Sequence, residues 1–343
     1  MSDFSKVILS GYYGYNNAGD ELILDSILNG FKKYFPDTEV NVLMRGGKSR
    51  ENSGNVRFLH RYDPVSILVN LINSDALILG GGGLIQDHSG ILTVYYYYML
   101  MALAKILFKK LIVFNQGIGP IKSRFNLFIA RILFKKADFI AVRDEYSKEY
   151  MQWLIGDDKD IILGADPVFT DISVHKKEAG KEMRRIGVSV RKWKNYRVED
   201  KLAVIVKKLK AKGEECFNIP FHRDYDGINI EGVEEINWEH PRQIWQIFSG
   251  LDGLIGMRLH SLIIGVLCGL PVVGISYDPK VTSFCGFMGI PCHEVDNISD
   301  TNIIVELEEL FDKNVEYTEK IEDLNRRLTD SWERLKSFVI NGN

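Results

Sequence analysis

Three side chains that could bind an anion lie close together between residues 256 and 280. Arg258 and His260 follow the apolar run Gly253–Ile255, and Lys280 follows the apolar run Pro271–Ile275. Continuous apolar runs of this length are typical of strands buried on both faces of a parallel sheet. Because parallel strands end at a common sheet edge, we expect the three side chains at that edge. The set predicts a site for a small, multiply charged anion such as a phosphate or carboxylate.

Arg143 follows another apolar run, Phe139–Val142, and is predicted to lie at the carboxyl end of a strand. A guanidinium there can hold a phosphate or carboxylate with two hydrogen bonds. The alternative is an ion pair with Asp144 or Glu145, which contributes little if exposed. Asp166 also follows a predicted strand and is a candidate base, although Asp-Pro pairs are equally common in turns.

A glycine-rich loop, Gly11–Glu21, follows the first predicted strand and leads into a helix. Its glycines permit close approach of a ligand to the backbone, and a helix N-terminus favours anions. No Lys-Ser/Thr pair follows, so the loop is not a P-loop. Tyr15, Asn16 and Asn17 are candidate ligand contacts, and Asp20 is a second candidate base. The alternative is a capped turn with Asn17 or Asp20 as the N-cap.

Two further loops carry amide side chains. Four consecutive glycines, Gly80–Gly83, precede Gln86, and Gln116 ends the next predicted strand. A glutamine amide both donates and accepts hydrogen bonds, which suits sugar hydroxyls. A flexible turn and a structural amide are the corresponding alternatives. His88 is more typical of a surface or helix-start position than of a catalytic residue.

Strand and helix patterns alternate along the chain, which predicts an α/β fold of two Rossmann-like domains facing across a cleft. The first domain is predicted over residues 1–172 and the second over 186–316, with a polar linker between them. Residues 317–343 form an amphipathic helix pattern that could cross back to the first domain. The predicted strands are Lys6–Ser10, Glu39–Met44, Ala76–Leu79, Leu111–Asn115, Phe139–Val142, Ile161–Leu163, Ile186–Val190, Glu215–Pro220, Gly253–Ile255 and Pro271–Ile275.

Composition narrows the function classes. The 343 residues carry a net charge of -3, so bulk charge gives no support for a nucleic-acid partner. The four cysteines contain no C-x-x-C pair, which predicts reduced thiols in the cytoplasm and argues against a zinc site. No signal-peptide pattern is visible. The most apolar stretch, Val94–Phe108, contains Lys105 and is shorter than the ~20 residues that span a bilayer.

In its ordered motifs the chain resembles the polysaccharide pyruvyl transferase family. It is most similar to the bacterial enzymes that make pyruvate ketals on secondary cell-wall polymers, which anchor S-layer proteins. The similarity covers about 270 residues, and the combination of motifs is more specific than any one glycine loop. The motifs are Gly11–Asp20, Gly80–Asp87, Gln116–Pro120, Val142–Asp144, Gly256–Ser261 and Ser276–Lys280.

The resemblance implies a glycosyltransferase-B-like pair of domains and phosphoenolpyruvate as donor and co-substrate. Arg143, Arg258 and Lys280 supply cations that match the charges of this donor, so we expect no metal and no further cofactor. The resemblance also implies an acceptor sugar, β-linked N-acetylmannosamine on a lipid-diphosphate carrier, that receives a 4,6-ketal. The donor-binding Arg, His and Lys of the family fall on Arg143, His260 and Lys280. Arg258 adds a further cation, and Tyr15, Asn16, Asn17, Gln86 and Gln116 are the candidate acceptor contacts.

Ketal formation requires a proton on the C3 methylene of the donor, which leaves an oxocarbenium-like C2. A sugar hydroxyl attacks C2, phosphate leaves, and a second hydroxyl closes the ring. This chemistry needs an acid and a base tuned near neutrality. His260 is the candidate acid or phosphate ligand, and Asp20 or Asp166 is the candidate base.

A lipid-linked acceptor would place the protein at the inner face of the plasma membrane. Segment 124–136 mixes bulky apolar and basic residues, which is typical of a helix lying on an anionic leaflet. An ordinary sheet-covering helix is the alternative. Two other functions remain open from the sequence: a nucleotide-sugar-dependent glycosyltransferase of the same architecture, and a non-enzymatic sugar-phosphate-binding protein.

Overall fold

The chain folds into two compact units, each built on its own parallel sheet. A computed structural model describes residues 4–47, 52–86, 91–170, 183–194, 196–223, 225–226, 228, 230–313 and 316–341. The first unit comprises Met1–Tyr15, Asp20–Thr170 and Asp323–Asn343, and the second comprises Asn16–Gly19 and Asp171–Glu322. Most of the predicted linker, residues 171–182, lies outside the described residues. The predicted α/β class is confirmed, because each unit alternates parallel strands with helices.

The first unit contains a seven-stranded parallel sheet in the order β3-β2-β1-β4-β5-β6-β7. This order reverses direction between β1 and β4, as in other doubly wound sheets. The strands are β1 Lys6–Ser10, β2 Glu39–Met44, β3 Val56–His60, β4 Ala76–Gly80, β5 Lys110–Gln116, β6 Phe139–Val142 and β7 Ile162–Leu163. The helices between them are α1 Ala18–Tyr34, α2 Pro64–Ile72, α3 Ile91–Ile106, α4 Arg124–Lys135 and α5 Glu145–Ile155.

The central strands of this sheet are buried along almost their whole length. Val7, Ile8 and Leu9 of β1 have no exposed surface, and β4 is buried at every position. This burial explains their continuous apolar sequences, because both faces of the sheet are covered by helices. One core cluster combines the sheet with the inner faces of α2, α3, α4 and α5.

The second unit contains a six-stranded parallel sheet in the order β10-β9-β8-β11-β12-β13. The strands are β8 Arg185–Ser189, β9 Glu215–Asn218, β10 Glu234–Glu235, β11 Gly253–Gly256, β12 Val272–Ser276 and β13 Cys292–Glu294. The helices are α6 Val198–Ala211, α7 Gln243–Ser249, α8 Leu259–Leu267, α9 Pro279–Met288 and α10 Asp300–Lys313. Strands β8, β11 and β12 are adjacent and parallel, so their carboxyl ends lie side by side.

The last helix, α11 Thr318–Asn341, begins in the second unit and continues into the first. Its Trp332 is 1% exposed and packs on the rings of Phe31 and Phe114 at centroid distances of 5.5 and 4.3 Å. A Cβ atom at Gly30 would lie 2.1 Å from the Trp332 ring, so α1 can approach α11 only because residue 30 is glycine. Burial of this tryptophan attaches the C-terminal helix to the first unit.

Candidate functional site

In the second unit, the carboxyl edge of the sheet brings several predicted anion-binding residues together. Arg258 and His260 follow β11, and Lys280 follows the neighbouring strand β12. His260 is in the first turn of α8 and Lys280 is in the first turn of α9. A helix N-terminus carries a partial positive charge and free backbone N–H groups. Two such termini on adjacent strands, with a histidine and a lysine, form an electropositive edge.

Arg258 is held by a buried carboxylate. Its Nε donates a 2.8 Å hydrogen bond to Asp226 Oδ2, and Nη2 donates to Oδ1 of the same fully buried Asp226. The backbone N–H of His222 also donates to Asp226, at 2.8 Å. Burial acts to lower the pKa of Arg258, but Asp226 and the neighbouring Tyr277 outweigh it and the pKa is raised. Arg258 is therefore a fixed cation, and two of its donor atoms are already engaged.

Lys280 is positioned by the N-cap of α9. The Asp278 carboxylate accepts a 3.1 Å hydrogen bond from the backbone N–H of Lys280, and its other oxygen lies 3.3 Å from Lys280 Nζ. Pro279 occupies the first helical position, where its missing N–H and fixed φ suit the helix start. The Asp-Pro-Lys sequence thus fixes the start of the helix and keeps the ammonium group near it.

The imidazole of His260 packs directly on Gly19. A Cβ atom at residue 19 would lie 2.2 Å from His260 Nδ1, so a side chain there would displace the ring. Gly19 is held in this unit by its neighbours: Ala18 N–H donates to Phe221 O at 2.8 Å, and the backbone N–H of Arg223 donates to Asn16 O at 3.1 Å. Segment 16–19 of the glycine-rich loop is therefore part of the histidine's surroundings.

The two asparagines of this loop have different structural positions. Asn16 is exposed and has a φ of 55°. The Asn17 side chain accepts a 3.2 Å hydrogen bond from Gly19 N–H at the start of α1, which is the capping role that the sequence left as an alternative. Their predicted contact with the acceptor stays a prediction.

Arg191 follows β8 and adds a cation at the same sheet edge as Arg258, His260 and Lys280. Its guanidinium lies over the rings of Trp193 and Tyr277, with its carbon 5.4 and 5.5 Å from the ring centroids. The Nε atom is buried without an acceptor in the described part of the chain, and no carboxylate described there is within salt-bridge distance. Tyr277 therefore interacts with both Arg191 and Arg258.

In the first unit, Arg143 forms a buried ion pair. Its Nη1 donates a 3.0 Å hydrogen bond to Asp166 Oδ2, and both side chains are 4% exposed. Nε donates at 3.2 Å to Asp144, whose other oxygen caps α5. Burial acts to lower the pKa of Arg143, but Asp166 and Asp144 outweigh it and the pKa is raised. The ion pair with Asp144, which was the alternative interpretation of the sequence, is present, but it is largely buried rather than exposed.

Close packing of the guanidinium depends on a glycine. A Cβ atom at Gly117 would lie 2.6 Å from Arg143 Nη2. Asp166 also accepts a hydrogen bond from Val168 N–H at 3.3 Å, which starts the short 3-10 turn Pro167–Thr170. Asp166 is thus fixed on one side by a guanidinium and on the other by its own turn. Its role as a base stays a prediction.

The glycine loop after β4 is bonded into the sheet rather than open. Gly81 N–H donates to Phe114 O at 3.0 Å, and Gly117 N–H donates to Gly82 O at 2.8 Å. Gln116 is fully buried, and its Nε2 donates to Gly81 O at 3.2 Å, so its observed contact is structural. Gln86 is partly exposed, whereas Asp87 and His88 lie outside the described residues.

Asp20 lies in the first turn of α1 and is 9% exposed. Its Oδ1 is the atom that a Cβ at Gly82 would meet, at 2.9 Å. Burial raises the pKa of the neighbouring Tyr13, and the charge of Asp20 raises it further, while the Tyr13 hydroxyl donates to Gly80 O at 2.6 Å. Asp20 therefore lies beside the Gly80–Gly83 loop, within the first unit.

The described residues contain no candidate metal-binding cluster. Within these ranges no three His, Cys, Asp or Glu side chains are close enough to hold an ion together.

Two solved structures that contain UDP-glucose or UDP have a fold similar to that of this chain. The Anabaena protein HepE in complex with UDP-glucose matches with a TM-score of 0.57 and 12% identity, over 98% of both chains. The Staphylococcus aureus MnaA–UDP structure matches with a TM-score of 0.60 and 9% identity, over 97% of this chain and 96% of that one. At these identities the likeness shows the fold alone, and it agrees with the predicted glycosyltransferase-B-like, Rossmann-like domains.

Sequence comparison identifies the family to which the chain belongs. A curated relative, the amylovoran biosynthesis protein AmsJ of Erwinia amylovora, is 21% identical over 92% of this chain and 94% of its own length. The model of the polysaccharide pyruvyl transferase family matches residues 17–279, well over half of the chain. That range includes Arg143, Arg258 and His260. The chain belongs to the polysaccharide pyruvyl transferase family and is an enzyme of that class.

Proposed function

We propose that this enzyme transfers pyruvate from phosphoenolpyruvate to a saccharide and releases phosphate. The acceptor is β-N-acetylmannosamine of a lipid-linked cell-wall polysaccharide precursor, of the kind that anchors S-layer proteins, and the product is a 4,6-ketal. The observation that carries the donor assignment is the carboxyl edge of the second sheet, where His260, Lys280 and Arg191 accompany two helix N-termini. Phosphoenolpyruvate bears both a phosphate and a carboxylate, and these groups match such an edge.

The reaction divides into steps that these residues can serve. Protonation of C3 leaves positive charge at C2, and the first sugar hydroxyl attacks there and loses its proton. Cleavage of the C2–O bond then releases phosphate, and the second hydroxyl attacks C2 to close the ketal. Of the two hydroxyl protons, one offsets the proton placed on C3 and the other leaves with phosphate. We assign His260 to the C3 proton or the leaving phosphate, and Asp20 or Asp166 to the hydroxyl protons.

Donor binding is expected to stabilise the protein against heat. A ligand at 100 times its dissociation constant adds roughly 2.7 kcal/mol to the unfolding free energy of the state that binds it. We expect phosphoenolpyruvate to raise the melting temperature, and Lys280→Ala, Arg191→Gln and Arg143→Ala each to reduce that rise. Thermal shift titration, normalised to the melting temperature of each unliganded variant, measures this.

UDP-sugars are the matched comparison, because proteins of similar fold were solved with UDP or UDP-glucose. A melting-temperature rise with a UDP-sugar and none with phosphoenolpyruvate would overturn the proposed donor. Arg57→Gln is the control variant, because Arg57 is an exposed arginine on strand β3, whose only described partner is Glu39 at 3.3 Å. Its donor-induced rise should equal that of the unmodified protein.

We further propose that the enzyme works in the cytoplasm, in contact with the inner face of the plasma membrane through α4. No helix in the described ranges has the length and apolar character needed to span a bilayer. One face of α4 is buried in the core of the first unit through Ala130, Leu133 and Phe134, in agreement with the sheet-covering alternative. The opposite face exposes Phe125 at 60% and Phe128 at 62%.

Basic residues surround this apolar face. Arg124, Arg131, Lys135 and Lys136 are all exposed on or just after α4. The adjacent helix α3, joined to α4 by the hydrogen bond from Tyr98 Oη to Asn126 O, exposes Met99 at 51%. Large exposed apolar side chains beside cations favour an anionic lipid surface as the occupant, since the rings can enter the headgroup region while the cations meet lipid phosphates.

Membrane binding is therefore expected to depend on the exposed phenylalanines. The double variant Phe125→Ser/Phe128→Ser should bind vesicles containing anionic phospholipid at least about tenfold more weakly, because it loses burial of two aromatic rings. Sedimentation with vesicles at low and high salt measures the bound fraction. Val204→Ser, which removes an exposed apolar side chain from α6 in the second unit, is the control. Equal vesicle binding by the double variant and the control would contradict this proposal.

A further inference from the structure

A buried arginine without a described counter-ion lies in the first unit, outside the residues discussed so far. Arg61 follows strand β3 and is 1% exposed. Nη1 donates to Gly11 O at 3.0 Å and Nη2 to Tyr97 Oη at 3.4 Å, while Nε is buried without an acceptor. Throughout the described segments, no carboxylate lies within salt-bridge distance of this guanidinium. A buried charge is costly unless a partner of opposite sign is close.

Tyrosine rings surround the guanidinium. Its central carbon lies 4.2 Å from the ring centroid of Tyr96, 5.2 Å from that of Tyr15, and 5.5 Å from those of Tyr62 and Tyr97. Cation–π attraction offsets part of the desolvation cost. The phenols do not neutralise the charge, because burial raises the pKa of Tyr96 and keeps its hydroxyl protonated. The cluster therefore retains a net positive charge.

Part of this group of tyrosines is accessible to solvent and lies beside a second cation, Arg45. Tyr62 is 57% exposed, and its hydroxyl is hydrogen-bonded to that of the partly exposed Tyr15. Tyr12 stacks on Tyr15 with centroids 4.1 Å apart and planes 9° apart. The exposed Arg45 holds its guanidinium carbon 5.3 Å from the Tyr15 ring centroid. We call Tyr12, Tyr15, Arg45, Arg61 and Tyr62 the tyrosine–arginine cluster.

We propose that the tyrosine–arginine cluster binds a saccharide that carries an oxyanion, either a phosphate ester or a carboxylate. Exposed aromatic rings offer a flat apolar surface to the C–H face of a sugar ring. The exposed Arg45 contacts the oxyanion directly, and the buried charge of Arg61 adds to the positive potential behind Tyr15 and Tyr62. The tyrosine–arginine cluster is thereby assigned as a subsite for the acceptor. Only the identification of the bound saccharide as the acceptor rests on the proposed function.

A purely structural role for the tyrosine–arginine cluster makes a different prediction. If the contacts of the cluster served only packing, changes to the exposed Arg45 and Tyr62 would leave saccharide binding unaltered. Neither residue is part of the core, so Arg45→Gln and Tyr62→Ser are expected to fold normally. These two variants keep the proposal testable even if an Arg61 variant does not fold.

The experiment is calorimetric titration of the full chain with three probes that share one sugar. They are N-acetylmannosamine 1-phosphate, N-acetylmannosaminuronate and neutral methyl N-acetylmannosaminide. At least one anionic probe should bind about tenfold or more tightly than the neutral glycoside, as expected for charge-assisted hydrogen bonds. Arg45→Gln should remove that preference, Tyr62→Ser should weaken binding of all three, and Arg57→Gln should change neither.

The outcomes separate the sources of the oxyanion. Preference for the phosphate points to the carrier-linked end of the acceptor, and preference for the uronate points to an acidic sugar within it. Equal affinity for all three probes, or an anion preference that persists in Arg45→Gln, would overturn the subsite. Stabilisation by phosphoenolpyruvate is measured separately. Its absence alongside the Arg45-dependent preference would reject the donor proposal and leave the subsite standing.

Discussion

Asp226→Ala is expected to lower the unfolding free energy of the second unit by about 3–5 kcal/mol, because it leaves the largely buried guanidinium of Arg258 without its carboxylate. The substitution also removes the acceptor of the His222 backbone N–H. Hydrogen exchange of the full chain measures the effect, since amides of β8 and β11 report on this unit. Amides of β1 and β4 in the first unit should keep their protection and serve as the internal control.

A double variant separates stability from donor binding. Replacing both partners, as Asp226→Leu/Arg258→Met, removes the charge pair without leaving a buried ion, so much of the lost stability should return. We expect the double variant to bind phosphoenolpyruvate at least about tenfold more weakly, because the fixed cation is gone. A stable double variant with unchanged donor affinity would show that Arg258 only supports the fold and would remove it from the donor site.

The main sheet strands were predictable because burial on both faces imposes continuous apolar sequences. Strand β3 was missed because it is partly exposed, and its sequence Val-Arg-Phe-Leu-His places the exposed Arg57 in the strand. The short outer strands β10 and β13 were missed for a similar reason, since neither is fully buried. Helix α9 was not predicted because its small and polar residues give little amphipathic pattern.

The candidate site was only partly predictable, since a sequence shows which residues follow strands but not which of them pair. Arg258 and Arg143 were identified from strand ends, as was Asp166, but the buried Arg143–Asp166 pair was not expected. Asp226 lies in an irregular loop, 32 residues before its partner, and no local pattern marks it. Arg61 was missed together with β3, because its position after a strand could be recognised only once that strand was known.

His260→Ala is expected to reduce turnover on the order of 10²-fold or more if the imidazole transfers the C3 proton or assists phosphate departure. The side chain is partly exposed in the first turn of α8, so the change should cost little stability. Phosphate release under donor and acceptor saturation measures turnover, and donor titration checks that binding persists. His240→Ala is the matched control, because His240 is an exposed histidine of the same unit.

Gly19→Ala tests the same role without changing the histidine. The new methyl group would lie 2.2 Å from Nδ1, so the imidazole must move away from its present position. If catalysis depends on where the ring is held, turnover should fall substantially while the chemical group remains present, because displacement of a reacting group by about 1 Å can cost 10²-fold. Normal turnover in both Gly19→Ala and His260→Ala would exclude His260 as a proton donor and limit this edge of the sheet to donor binding.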